Sequence, residues 1–438
     1  MFTLLIRNCR IVQPDASIIE GDIACRDGRI ERIAPAIDAA AGETVEAQGR
    51  LLLPGAIDPQ VHFREPGHEH KEDLASGSRA AARGGITSFL EMPNTMPPTI
   101  TQAALDDKLA RAARGSVVNY GFFVGATATN VDTLEQMAPA CGIKVFMGAS
   151  TGDLLVDRRE DLERIFATGH RLIAVHAEDQ ACIEQHRALF ADRRDPASHS
   201  DIRPAECALK ATTLALELSK RYRRRLHILH VSTKEEVALL RRDKPPWVTA
   251  EAVPNHLFLN RSDYERQGAR VIMNPPIRDH EDNEALWAAL QDGVLDFIAT
   301  DHAPHTLEEK QGWPAPSGMP GVETSLPLIL TEWRAGRCTL AQVLRWMSAS
   351  AADAYGLIGK GRVAEGFDAD LTLVDIDHIR VARDADMMTK VRWTPFDGRA
   401  LTGWPVLTVV AGRVVFDGEQ IRPGVRGLPL RYAPRPNG

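Results

Sequence analysis

The chain has 438 residues, 44% hydrophobic and 25% charged, which is more than one small core organises and suits a large domain beside a smaller one. A formal net charge of −7, with no basic block beyond residues 221–225, gives no field for nucleic acid, and no apolar stretch reaches membrane-spanning length. Six cysteines without a C-x-x-C pair argue against a zinc ribbon or redox motif, and an amino end lacking a basic segment, apolar run and cleavage site points to a soluble, cytoplasmic protein with reduced thiols.

Up to about residue 50 the chain alternates apolar and polar residues in short runs, LLIRNCRIV (4–12) and GDIACRDGRIERIA (21–34), which predicts small antiparallel strands. Eight apolar runs follow, each trailed by an Ala/Leu/Glu/Arg-rich helical stretch. They are LLLPGAIDPQVHF (51–63), GITSFLEMP (85–93), VVNYGFFVGA (117–126), GIKVFMGA (142–149), RLIAVHAED (171–179), RLHILHVS (225–232), WVTAEAVP (247–254) and VLDFIATDHAPH (294–305). Strand-like texture returns after about 362 in DADLTLVDI and TVVAGRVVFDG, and a Pro/Gly/Arg-rich extended tail closes the chain. The fold expected is α/β, a (β/α)8 TIM-like barrel over 53–357 with a small β-sandwich built from 1–52 and 358–438. No Gly-rich phosphate turn follows the first strand, against an open doubly wound sheet.

In such a barrel the chemistry belongs at the carboxyl ends of the strands. The polar residues there are Gln60, His62 and Arg64, then Asn94, Lys144, His176 and His230, then Asp301 with His305. A lone histidine in a strand is usually structural, but three histidines and an aspartate ending different strands make a divalent-metal site, with zinc accepting imidazole and carboxylate and keeping a position open for water. In HILH, His227 and His230 fall on opposite faces by period two, so only one is expected to look into the barrel. His68, His70, His186 and His199 are expected on the surface, as is the RYRRR run at a solvated helix end. Arg64, two residues after His62, shares its face; a guanidinium there suits a carboxylate, against the bland alternative of a surface salt bridge. The Pro/Gly-rich stretch 303–324 is expected to be a lid or pocket loop.

Taken together, DPQVHFREPG, GGITSFLEMPNT, GIKVFMGASTG, VHAED, LHILHVST, MNPPIR and TDHAPH resemble the amidohydrolase superfamily and, within it, the dihydroorotase family of cyclic amidohydrolases, in order from about Pro54 to Thr324. The resemblance implies that His62 and Asp301 hold a buried metal and that His176 and His230 hold a second. Lys144 matches the lysine carboxylated by CO₂, whose carbamate would be a shared ligand in a site of one or two zinc ions per chain; the alternative is an unmodified lysine paired with an acid. Gln60 departs from the family's His-x-His pattern, and a neutral amide is a poorer zinc ligand than imidazole, so the buried metal is expected to be weaker or absent. Arg64 and Asn94 would hold the substrate carboxylate, while Asn274 and His305 would contact the ring and the developing oxyanion. The reaction implied is reversible zinc-dependent hydrolysis of L-dihydroorotate to N-carbamoyl-L-aspartate in pyrimidine synthesis, with Asp301 moving the proton. It would be carried by a homo-oligomer, dimer or tetramer. A hydantoinase or allantoinase would share the metal site, and a noncatalytic partner of aspartate transcarbamoylase would explain Gln60.

Overall fold

The computed structural model of the protein describes residues 1–148 and 154–434. Residues 149–152 of the GIKVFMGASTG motif and the last four of the tail lie outside the described residues.

The amino-terminal runs form β1 (Phe2–Val12), β2 (Ile18–Arg26), β3 (Arg29–Ala34), β4 (Ala41–Glu46) and β5 (Leu51–Pro54). Leu4, Ile6, Cys9 and Ile11 of β1 all reach one core, although period two would turn the second pair outward. A register shift between Ile6 and Cys9, with Asn8 at φ +55°, resets the alternation.

The apolar run 51–63, expected as one strand, is two. Gly55 separates β5 from β6 (Ala56–Val61), and a Cβ there would lie 2.2 Å from the Thr87 side chain, so only glycine lets the chain pass from sheet to barrel. β7 (Ile86–Glu91) and β8 (Asn119–Phe122) continue from β6. The stave at 117–126 breaks at Phe123, so that β8 pairs with β7 and β9 (Val124–Gly125) pairs with β10 (Ile143–Phe146). β11 (Ile173–His176), β12 (Leu226–Ile228), β13 (Val248–Ala252) and β14 (Phe297–Ile298) complete a parallel set. The ring closes where Val61 pairs with His302 and the His62 N–H donates to the His302 carbonyl at 2.7 Å. Each of the eight predicted runs thus supplies one stave of a TIM barrel.

Outside the ring lie α1 (Leu74–Arg83), α2 (Gln102–Gly115), α3 (Arg159–Ala167), α4 (Gln180–Leu189), α5 (Ser198–Ile202), α6 (Ala205–Tyr222) and α7 (Lys234–Asp243). Capping boxes start α1 at Asp73 and α7 at Thr233, where the side chain accepts from the N3 amide and the N3 side chain answers the cap. The large core lies between these helices and the staves.

The chain then returns through β15 (Leu371–Asp375), β16 (Arg380–Val381), β17 (Ala400–Leu401), β18 (Trp404–Val410) and β19 (Arg413–Phe416). β15 pairs with β5 and β18, joining both chain ends in one eight-stranded sheet around a common core. Between β15 and β18 the chain leaves that sheet: Met387, Trp393 and Phe396 pack with Val253, Leu259 and Met319 of the barrel. The tail runs extended along the barrel floor, where Tyr120 N–H donates to Leu428 O at 3.1 Å and Leu430 N–H to Tyr120 O at 2.9 Å.

Two expectations, reduced thiols throughout and a solvated RYRRR run, are corrected. Cys182 of α4 and Cys207 of α6 are joined in a disulfide, with Cα atoms 5.4 Å apart, whereas Cys9, Cys25, Cys141 and Cys338 are buried free thiols. The pair meets because two helices pack side by side, which a separation of 25 residues does not reveal. Within RYRRR, Arg224 is buried rather than solvated and is held by Glu135 Oε1 at 2.8 Å and Thr168 O at 2.7 Å.

Candidate active site

One cavity at the carboxyl ends of the staves is lined by Gln60, His62, Arg64, Asn94, Lys144, His176, His230, Asn274 and Asp301, together with Phe146, Ala303, Ser317 and Gly318. Ser317 and Gly318 come from the Pro/Gly-rich loop. His305 alone of the predicted residues sits just outside, in the wider groove that leads to this cavity. Arg64, His230 and Asp301 have φ of +66°, +37° and +49°, the left-handed region in which non-glycine backbone is strained and which clusters at functional sites.

His62 follows β6. Its Nδ1 lies 2.8 Å from Asn94 Oδ1 and its Nε2 3.1 Å from Asp301 Oδ1. A neutral imidazole has one N–H, so two flanking oxygens call for either a second proton or a shared cation. Burial lowers the His62 pKa and disfavours the proton. Asp301 Oδ1 also accepts from Gln60 Nε2 at 3.1 Å, while Gln60 Oε1 is buried without a partner. That orphaned oxygen and the His62–Asp301 contact fit a cation, with Gln60 as a neutral donor in place of imidazole.

The second cluster is built of His176 and His230, whose Nδ1 and Nε2 atoms lie 3.0 Å apart. His176 ends β11; its Nε2 lies 3.0 Å from Glu178 Oε2, which leaves Nδ1 for the cavity. Burial lowers both histidines' pKa values, so both stay neutral as ligands must. Lys144 is buried in β10 with its Nζ 4.5 Å from the Phe146 ring centre. No ion pair or hydrogen bond holds that Nζ among the described residues, and burial takes its pKa down to about 7 despite the attraction of Asp301 and Glu251. Only a neutral amine has the lone pair to attack CO₂, losing a proton as the carbamate forms, and a carbamate would satisfy the site as an uncompensated ammonium does not.

Arg64 is buried, and burial lowers its pKa to about 10. Its Nε donates to Pro304 O at 3.1 Å, and Nη2 lies 3.1 Å from His305 Nε2. Among the described residues no carboxylate pairs with it. His305 Nδ1 accepts from Lys71 Nζ at 3.1 Å, so its Nε2 carries the proton and donates to Ser317 O at 3.1 Å. Burial and then Arg64 and Lys71 push the His305 pKa far down, keeping the ring neutral beside two cations.

His227 is buried and also faces the barrel interior, correcting the period-two argument. Its ring stacks on Phe297, with centroids 4.8 Å apart, and its Nε2 lies 2.9 Å from Glu251 Oε2. The left-handed turn at His230 breaks the alternation, so both histidines point inward at different depths. His199, expected on the surface, is half-buried with its Nε2 2.9 Å from Asn274 Oδ1. Glu251, Glu178, Arg203, Lys71 and His199 are the residues sequence reasoning missed. Glu178 was within reach, two residues after His176 in VHAED and so on the same strand face; the others carry no local signal.

The chain matches the amidohydrolase family over residues 51–415. It is 40% identical over 417 residues to a dihydroorotase of Halobacterium salinarum, covering 93% of this chain and 96% of that one. It is 37% identical over 440 residues to a dihydroorotase of Methanothermobacter thermautotrophicus, covering 99% and 98%. Among solved structures, the L-hydantoinase (dihydropyrimidinase) of Arthrobacter aurescens superposes with a TM-score of 0.92 at 32% identity, over 96% of this chain and 98% of that one. With a family match across the barrel and relatives alike along almost their whole lengths, the chain belongs to the amidohydrolase family.

Proposed function

We propose that the protein hydrolyses L-dihydroorotate reversibly to N-carbamoyl-L-aspartate, a step of de novo pyrimidine synthesis in the cytoplasm. The observation that carries this reading is Arg64, a buried guanidinium in the mouth with no carboxylate partner among the described residues. A buried cation is costly unless something anionic meets it, so the ligand brings the anion. Dihydroorotate carries a ring carboxylate, whereas hydantoin, dihydrouracil and allantoin do not. The curated relatives named above support the same choice.

His62, Asp301, Lys144 as its carbamate, His176 and His230 would hold one or two zinc ions, with Gln60 Oε1 as a weaker neighbour. Zinc so held supplies an acidic water near neutral pH and polarises a carbonyl. The chain's own groups do the rest. Arg64 and Asn94 grip the carboxylate and set the ring's orientation. Asp301, anchored by Gln60 Nε2, takes the proton of the attacking water and returns it to the leaving ring nitrogen, a base that becomes an acid. Ser317 and Gly318 narrow the mouth and limit bulk water. Gln60 is integrated through Asp301 rather than idle, which weighs against a noncatalytic partner.

The test is turnover of L-dihydroorotate by zinc-supplemented protein, with hydantoin, dihydrouracil and allantoin as comparators and Asp301→Asn as the control. Hydrolysis of dihydroorotate, lost in the control, is expected. Preference for an uncharged ring would overturn the carboxylate reading, and no turnover at all would put the noncatalytic partner first.

A further inference from the structure

α5 is five residues long, yet its side chains and the arginine after it reach out in several directions. Ser200 Oγ donates to Ile277 O at 3.0 Å, and Asp201 accepts from Arg261 at 2.8 Å, so the short helix is pinned to the 261–277 stretch. Two other side chains, His199 and Arg203, each reach a residue that lines the active site or touches one that does.

His199 Nε2 faces two acceptors, Met273 O at 3.0 Å and Asn274 Oδ1 at 2.9 Å. Both are oxygens, so Nε2 carries the proton and the tautomer is settled. Asn274 Oδ1 is thereby engaged, and its Nδ2 has no protein partner among the described residues while Asn274 lines the inner cavity. The amide therefore offers the cavity N–H donors rather than an acceptor. Arg203, one residue beyond α5, pairs with Glu178, whose Oε2 also lies 3.0 Å from His176 Nε2. All three are buried, so neither charge has water as an alternative.

Resting on the cyclic-amide reading above, we propose that α5 with Arg203 is a two-armed brace made of positioning residues. Through Asn274, His199 makes the site demand a carbonyl oxygen on the substrate ring at that point. Through Glu178, Arg203 holds His176 so that Nδ1 faces the metal position. One short helix so couples substrate orientation to ligand orientation while touching neither directly.

The two arms separate in kinetics and metal binding. Full-length wild type is compared with His199→Ala, His199→Gln and the double variant Glu178→Gln/Arg203→Met, which leaves no lone buried charge. Readouts are kcat and KM on the ring the wild type hydrolyses, zinc retained per chain against a competing chelator, and a thermal melt. His199→Ala should raise KM about three- to tenfold with kcat and zinc affinity little changed, the size of one lost hydrogen bond. His199→Gln, which can still donate to Asn274, should restore KM. The double variant should lose about ten- to a hundredfold in zinc affinity with KM kept. An unchanged KM in His199→Ala, no rescue by glutamine, or unchanged zinc affinity in the double variant overturns the corresponding arm. Wild type that hydrolyses no ring overturns the dihydroorotate reading and the His199 arm that rests on it, while the zinc comparison still decides the Arg203 arm.

Discussion

Gln60 Nε2 donates to Asp301 Oδ1 at 3.1 Å, the carboxylate oxygen that His62 Nε2 also faces at 3.1 Å. The amide thus sits beside His62 and holds the aspartate that is proposed to carry the proton. Imidazole binds zinc better than a neutral amide oxygen. Gln60→His should therefore raise the zinc retained per chain under chelator challenge, read by elemental analysis. Unchanged zinc would mean that this side chain does not reach the metal position.

Arg64 has no carboxylate of its own among the described residues, so its removal should be felt chiefly by a charged substrate. Arg64→Gln should lower kcat/KM for dihydroorotate about thirty- to a hundred-and-fifty-fold, the worth of a charge-assisted hydrogen bond of roughly 2–3 kcal/mol. Any activity on hydantoin should change little. Equal losses on both rings would assign Arg64 to holding the loop through the Pro304 carbonyl instead.

Acid should act through Glu178. Burial pushes its carboxyl up, but Arg203 and His176 outweigh it and bring the pKa from 4.5 down to about 2. Between those values the unfolded chain binds the extra proton, so the stabilisation is whole above pH 4.5 and drains away as pH falls toward 2. Urea midpoints of metal-free protein from pH 5.5 to 3 should fall more steeply for the wild type than for Glu178→Gln/Arg203→Met. Parallel slopes would show that the pair does not set acid stability.

Beneath the loop that carries Asn94, Lys108 Nζ pairs with Glu91 and donates to Met92 O at 3.1 Å, both charges fully buried. Lys108→Ala should cost about 3–5 kcal/mol in chemical denaturation, because it strands a carboxylate in the core. Glu91→Leu/Lys108→Met should cost much less, since it removes both charges and keeps the volume. Similar losses in the two variants would point to packing rather than charge.

The barrel and most of its mouth were legible in the chain because parallel staves are buried on both faces, so they read as continuous apolar runs and each run's polar end marks the mouth. That logic brought Gln60, His62, Arg64, Lys144, His176, His230 and Asp301 to one cavity. It failed where backbone departs from regular strand: a left-handed His230 turns inward beside His227, and a bulge at Asn8 resets β1.

Local order, then, was determined by the sequence itself: which segments are staves, which residues end them, and which side chains offer imidazole, carboxylate or guanidinium. Tertiary structure alone decided which of these meet. The bonds of His199 to Asn274, Arg203 to Glu178, His227 to Glu251 and Cys182 to Cys207 join residues on different elements. No periodicity encodes such contacts, because they depend on how whole helices and staves pack around the ring, and packing follows from the sum of all side chains rather than from any one run.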